Sequence, residues 1–514
     1  MSQAAVALET LQPQQIIHPD DEFNRLLVHN SHPPAWQDPT PSGRYNLVVI
    51  GAGTAGLTAA GGAAAVGGRV ALTERHLTGG DCLVTGCVPS KGIISAARAA
   101  ALVRNGAQFG LQVPPGATVD FGAVMARMRR LRAKISPADS VHHLKSAGVD
   151  VYLGQARFVG PDTVEVNGTR LQFARAVIAS GGRAIVPPIP GLKEAGFLTN
   201  DTLFELTELP KRLAIIGAGP IGCEMAQTFQ RFGSQVILID AAPHILIRED
   251  ADAAEIVQQV FKKEGVQLIL NAKVQQVKAD GGGKQVVVSQ NGQTLTVPYD
   301  QLLVGVGRAP NVEGLNLEAA GVQYEKQGVK VNDLLQTTNP RIYAAGDISS
   351  PYKFTHTANA LGRMAMINAL FWGRNKASSI IIPWATYTDP EIAHVGLYEQ
   401  QAKELGHQVT TLTVALEEND RSVLEEDEGF VRVHVKTGTD KILGATVVGA
   451  HAGELLTYFT LPMVMGKGLS VLSWPIYPYP TQSEVIKKIA NLQLQGKLKP
   501  WIKNVLSAIL AARR

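Results

Sequence analysis

The chain has 514 residues, too many for one compact core and enough for about three domains of roughly 150 residues each. Apolar types make up 45% and charged types 18%, which excludes a disordered chain; Lys plus Arg at 48 against Asp plus Glu at 44 leaves +4, too little over this length to argue for a nucleic-acid or anionic-membrane partner. Three cysteines exclude a secreted disulfide scaffold, and 51 glycines imply many tight turns or close ligand approaches.

Residues 1–44 are rich in Pro, Gln and His without a sustained period, and they lack the basic start and apolar core of a signal peptide. They read as an irregular arm that ends in the turn-like Pro39–Gly43. A buried strand, Tyr45–Ile50, follows and runs into Gly51, Gly53 and Gly56, an Ala-rich helix, and a second strand that ends at Glu74. The uncharged stretch from Leu47 to Gly68 is long enough to span a bilayer, but it holds seven glycines and its apolar residues are mostly Ala. It reads instead as part of a soluble, cytoplasmic protein.

Next comes Gly79-Gly80-Asp81-Cys82, followed after Gly86 by Cys87, Pro89 and Lys91. Pro89 suits the first turn of a helix, and a thiol at a helix N-terminus has its thiolate stabilised, so Cys87 is expected to be the more acidic of the two. Two buried packing cysteines, or two zinc ligands, are the alternatives. Zinc ordinarily takes four protein ligands, and the remaining cysteine, Cys223, falls inside a later helix, where it reads as a small buried hydrophobe. A redox dithiol fits better.

Short β runs at Val149–Leu153, 157–166 and 286–289 suggest antiparallel meanders. Between them Arg212–Ile216 leads into Gly217, Gly219 and Gly222, a helix, and a strand that ends at Asp240. Gly51 to Glu74 and Gly217 to Asp240 are both steps of 23 residues, so the unit is repeated. In such a unit the first glycine makes the turn, the second admits a pyrophosphate, the third lets helix pack on strand, and the acid takes a ribose hydroxyl. Two copies predict two dinucleotides. From about residue 383 strands at 430–435 and 442–448 alternate with helices near 453–466 and 481–493, a third, α+β domain. Trp501, Ile502, Val505, Leu506, Ile509 and Leu510 then recur at helical period, with Lys503, Arg513 and Arg514 off that face. A short docking helix is the first reading and a membrane-surface anchor the second.

These motifs resemble the two-cysteine flavoprotein disulfide reductases, the group of glutathione reductase, dihydrolipoamide dehydrogenase and mercuric reductase, over about 45–490. Ala179-Ser180-Gly181, Gly307-Arg308-Ala309-Pro310-Asn311 and Ile342 through Gly346-Asp347 agree with it. The resemblance implies an α/β fold with two Rossmann-like domains and a C-terminal α+β dimerisation domain. Its boundaries are an arm at 1–44, an FAD domain at 45–192 and 308–380, an NAD(P) domain at 193–307, an interface domain at 381–498 and a helical tail at 499–514. FAD would rest on Gly51, Gly53, Gly56, Glu74, Gly80, Asp81, Lys91, Ala156, Ser180, Gly181, Asp347 and Thr355, and NAD(P)H on Gly217, Gly219, Gly222, Asp240, Val274 and Gly307. The resemblance also implies an order of events: NAD(P)H reduces FAD, reduced flavin opens a Cys82–Cys87 disulfide, Cys87 is the thiolate against the flavin, and Cys82 meets substrate. Lys91 and Glu224 match a pair that lies beside the flavin ring, and a homodimer is expected.

Disulfide-reducing members carry a His before Pro-Thr near the C-terminus, paired with a Glu and lent by the other subunit. Here Glu484 is retained but Tyr479 stands in place of the His. An ordinary His titrates near 6.5 and Tyr near 10, so Tyr accepts a thiol proton poorly at pH 7. Mercuric reductases resemble the chain here, at Arg248-Glu249-Asp250, at Asp420-Arg421 and over 444–454. A soft acceptor such as Hg(II), held between Cys82 and Cys87 as substrate, is therefore the first reading, with no structural metal. A disulfide reductase such as dihydrolipoamide dehydrogenase, and a non-catalytic flavin-bound scaffold, are the alternatives. An N-terminal metal-binding module and an outer cysteine pair, both found in mercuric reductases, have no counterpart in residues 1–44 or 511–514, and Asp81 stands where many relatives have Thr. Asp240, with no Arg at 241–247, favours NADH, while His244 and Arg248 leave NADPH open.

Overall fold

A computed structural model describes residues 17–113, 116–280, 283–496 and 500–514. Two compact units emerge, one formed by residues up to 241 with 265–380, the other by 242–264 with 381–514.

The first unit is built on two parallel sheets with one topology. In the larger, β1 (Tyr45–Ile50) lies between β2 (Val70–Glu74) and β6 (Thr169–Ile178), with β3 (Val149–Leu153) outside β2 and the strand Ile342–Ala344 beside β6. β5 (Thr163–Val166) and β4 (Arg157–Gly160) continue from β6 as an antiparallel meander. In the smaller, Arg212–Ile216 lies between Gln235–Ile239 and Gln301–Val304, with Gln267–Ile269 outermost, all parallel. The central strands are almost wholly apolar because helices or other layers cover both faces. α2 (Thr54–Ala65) and the helix Pro220–Phe232 each begin directly after a glycine turn, which places their N-termini at the carboxyl ends of the strands, where open α/β sheets bind ligands. A three-stranded antiparallel sheet, Ala272–Asp280, Gly283–Gln290 and Gln293–Tyr299, completes this unit's second half.

Part of the expected irregular arm is ordered. α1 (Glu22–Ser31) is a helix capped by Asp21, whose carboxylate accepts the Asn24 N–H at 2.8 Å. Its only apolar run, Leu26-Leu27-Val28, has no helical period of its own, so partners elsewhere hold it in place. Leu27 and Val28 pack on Leu77, Leu83 and Val84, next to the cysteine segment. On α5 (Phe121–Ile135) the buried Arg132 donates to Asn24 Oδ1 and to the Val84 carbonyl, both at 2.6 Å, and Arg129 pairs with Asp21. Farther on, Trp36 Nε1 donates to the Val151 carbonyl (3.1 Å) and Asp38 accepts the Leu153 N–H (2.9 Å), so the segment also covers the open edge of β3.

The second unit is a five-stranded antiparallel sheet in the order Pro383–Thr386, Glu391–Gly396, Ile442–Gly449, Phe430–Lys436, Val409–Ala415. Its core joins Val431, Val433 and Val447 to the helices Ala452–Val464 and Glu484–Gly496. Glu249 is buried here, accepting Trp384 Nε1 at 2.9 Å and the Tyr398 hydroxyl at 2.5 Å, and Arg432 bridges Asp250 and Asp252. The terminal helix forms, over Pro500–Ala512, but buries none of its residues, so it is not docked on its own chain. Among the described residues no helix is long and apolar enough to cross a membrane.

Leu27 is fully buried, so Leu27→Ala should cost roughly 2–5 kcal/mol of stability. The shift of a urea unfolding transition measures it, and an unchanged transition would show that the segment is not part of the core.

Candidate active site

The two glycine turns repeat each other atom for atom in their constraints. Gly51 and Gly217 have φ of +102° and +108°, and a Cβ there would meet the carbonyl oxygens of Ala179 and Gly305 at 2.4 and 2.5 Å. A Cβ on Gly56 or Gly222 would sit 1.8 or 1.9 Å from the carbonyl of Gly51 or Gly217, so only glycine lets the helix approach. The middle glycines differ: a Cβ on Gly53 would meet only Gly80 Cα at 3.9 Å, and one on Gly219 would meet nothing within 4 Å. That open space lies at helix N-termini with no side-chain cap, which is the cradle a pyrophosphate needs. The terminal acids close the turns. Glu74 accepts the Ala52 N–H at 2.7 Å, Asp240 accepts the Ala218 N–H at 2.6 Å, and burial holds the Glu74 carboxyl above its ordinary range.

Cys82 lies in the short helix α3 (Gly80–Val84), and Cys87 is the first residue of α4 (Cys87–Arg104). Both are free thiols, hydrogen-bonded to each other. Thr355, itself the first residue of the helix Thr355–Leu370, places its hydroxyl 3.2 Å from Cys87 Sγ. Two helix N-termini, each carrying partial positive charge, thus converge on one sulfur. The Cys87 thiol is lowered to about 6, first by the Cys82 hydrogen bond, then by Thr355 and the Lys91 ammonium; desolvation and Glu224 push the other way. Cys82 moves in the opposite direction, well above an ordinary thiol, chiefly because it donates to Cys87. One thiolate and one thiol is therefore the resting state of the reduced pair at neutral pH. Lys91, one turn into α4, donates to Glu224 Oε2 at 2.8 Å, and Glu224 is nearly buried on the helix Pro220–Phe232. Cys223, next to it, is buried with Sγ 3.3 Å from the Ala218 carbonyl.

Asp81, Asp347 and Arg308 form a cluster that sequence reasoning did not join. Arg308 pairs with Asp81, reaches Asp347 Oδ2 at 3.3 Å, and donates to the Gly182 carbonyl at 2.8 Å. Asp81 is thus the counter-ion of an arginine already bound to Asp347, the expected flavin contact. The signal in the sequence is Arg308 itself, a cation inside Gly307-Arg308-Ala309-Pro310-Asn311. Ser180 and Asn311 hold each other through two 2.9 Å bonds to main-chain carbonyls, fixing the turn at Gly181, where φ is +70°. Ala156 is buried in the core beneath β1 and β6, Val274 packs against the second sheet's core, and Gly307 has φ of +125°.

Tyr479 and Glu484 belong to the second unit. Tyr479 is 71% exposed, and its hydroxyl donates to Asp420 Oδ2 at 3.0 Å. That bond, with smaller contributions from the Asp420 and Glu484 charges, raises its proton affinity above that of ordinary tyrosine.

A family model described as pyridine nucleotide-disulphide oxidoreductase matches residues 45–362, and the dimerisation domain of the same group matches 382–490, which supports a homodimer. The chain is 36% identical to mercuric reductase of Staphylococcus aureus over 450 residues, covering 87% of this chain and 82% of that protein. It is 35% identical to dihydrolipoyl dehydrogenase of Thermus scotoductus over 458 residues, 87% and 97% of the two chains. Among solved structures, the HOCl-induced flavoprotein disulfide reductase RclA of Escherichia coli superposes with a TM-score of 0.77 at 30% identity, covering 87% of this chain and 100% of that one. RclA is also solved as a Cu(II) complex. Enzymes of this family use FAD and NAD(P)H, and the two glycine cradles fit two dinucleotides.

A thiol whose pKa is lowered stays ionised above that value and is protonated below it. The long-wavelength absorbance of a thiolate against oxidised flavin should therefore disappear with a midpoint near pH 6 in the reduced holoprotein, and Thr355→Val should move the midpoint upward. A midpoint near 8.5, the value of an unperturbed thiol, would contradict the geometry.

Proposed function

We propose that this chain, which belongs to the pyridine nucleotide-disulphide oxidoreductases, carries electrons from NAD(P)H to the Cys82–Cys87 pair and from there to a soft metal ion, with Hg(II) the first candidate. Bound FAD supplies the chemistry no side chain has, accepting hydride from a nicotinamide and passing two electrons to a disulfide. The protein's part is to keep one sulfur ionised and the other protonated. Cys87, at the start of its own helix, beside the first residue of a second and stabilised by the Lys91 ammonium, holds the negative charge, while Cys82 keeps its proton until substrate arrives. Soft thiolate sulfur suits a soft cation. Metal coordination at Cys82 displaces that proton without help from a base, because a metal competes directly with the proton for sulfur. Two electrons then reduce Hg(II) to the metal as the dithiol closes to a disulfide.

Tyr479 carries the choice of a metal over a disulfide. Thiol–disulfide exchange needs a group that takes and returns a proton near neutral pH, and a phenol held protonated by Asp420 does not. Its exposure, in a stretch with the exposed Trp474 and Ile476, leaves it free to face a second subunit. A disulfide substrate is the second reading, favoured by the comparable identity to dihydrolipoyl dehydrogenase and by the retained Glu484.

With purified holoprotein, Hg(II) or Cu(II) should drive NAD(P)H oxidation faster than lipoamide or glutathione disulfide at pH 7, and Cys87→Ser should abolish turnover with either class. Tyr479→His should raise disulfide turnover by about a hundredfold, the low end of what a placed general acid–base contributes, with little gain for the metal. Lipoamide turnover above metal turnover in the unaltered protein would overturn this reading in favour of the second.

A further inference from the structure

The terminal helix Pro500–Ala512 presents an unusual surface. Trp501, Val505, Leu506, Ile509 and Leu510 are each 47–63% exposed, and no residue of the helix is buried. At 3.6 residues per turn, Trp501, Val505 and Ile509 make one stripe and Ile502, Leu506 and Leu510 the next, so the apolar face is broad and continuous. Lys503 lies at the edge of this face beside Leu510, Asn504 and Ser507 lie on the other side, and Arg513 and Arg514 follow the end of the helix. An exposed apolar stripe of this width on water is costly unless something covers it.

Charge identifies the cover. From 497 to 514 the sequence has five basic residues, Lys497, Lys499, Lys503, Arg513 and Arg514, and no acidic residue follows Glu484. The other 496 residues hold 43 basic against 44 acidic side chains, so the chain's whole positive excess lies in its last eighteen residues. A second copy of this chain, with 43 basic against 44 acidic side chains outside that segment, offers one net negative charge to attract it. A broad apolar face with a cation at its edge and basic residues before and after the helix, and a Trp at one end, suits a helix lying in the headgroup region of an anionic bilayer. We propose that the terminal helix binds anionic lipid surfaces and tethers the enzyme to them, its apolar face in the acyl boundary and its Lys and Arg among phosphate headgroups. It is too short to span a bilayer and does not need to.

The test uses holoprotein sedimented with vesicles of phosphatidylcholine alone or with about one third phosphatidylglycerol, the latter providing the negative surface the helix requires. The expected result is co-sedimentation with the anionic vesicles only, reversed by salt. Lys503, Arg513 and Arg514 changed together to Gln should weaken binding by about a hundredfold, roughly fivefold for each cation. Leu506→Gln with Ile509→Gln should abolish it. Both variants should keep full flavin content and an unchanged sedimentation coefficient without lipid. Equal binding to neutral vesicles, absence of binding to anionic ones, or a change of oligomeric state in the Leu506/Ile509 variant would overturn the proposal, the last by showing that a second copy covers the helix.

Discussion

A single negative charge on Cys87 is the constraint around which the first unit is organised. Sulfur at that position faces the N-terminus of its own helix and that of the helix beginning at Thr355, accepts hydrogen bonds from Cys82 and the Thr355 hydroxyl, and has the Lys91 ammonium nearby. Removing any one of these leaves the charge less compensated; together they separate two chemically identical thiols into a thiolate and a thiol. Division of labour between the sulfurs thus rests on side-chain hydrogen bonds and an ammonium, brought together by two helix starts.

Topology also explains why the surroundings are so short of side-chain freedom. Both helix starts that matter for dinucleotides are reached through turns where Gly51 and Gly217 sit at positive φ against a neighbouring carbonyl, and where Gly56 and Gly222 touch the turn itself. Around the dithiol, α1 and α5 press Leu27 and Arg132 against the Leu83–Val84 segment, so the short helix carrying Cys82 is held from behind. An ion pair from α4 to Glu224 ties the thiol helix to the helix Pro220–Phe232, and the Arg308 cluster ties Asp81 to Asp347. The sulfurs therefore rest on rigid elements, as redox partners that must meet at fixed distance require.

Much of this was legible in the sequence because the requirements are local. Two glycine turns with a 23-residue step to an acid need no distant partner to be recognised, and Cys87 just before Pro89 announces a helix start. What escaped is what depends on distant contacts. α1 was read as irregular because its order comes from Arg129 and Arg132, more than a hundred residues away, rather than from its own period. Thr355 was expected only as a cofactor contact, since nothing in its neighbours reveals that its hydroxyl turns to a sulfur 268 positions earlier. The terminal helix shows the reverse: its period is plain in the sequence, but none of its residues is buried in its own chain, because period specifies a face and not what covers it.

The most direct test counts electrons. Anaerobic titration of the oxidised holoprotein with dithionite should consume two electron pairs per flavin, one for the flavin and one for a disulfide between residues 82 and 87, while Cys82→Ser should consume one. If the unaltered protein stops at a single pair per flavin, the two sulfurs do not form a redox couple, and the account of the site is wrong.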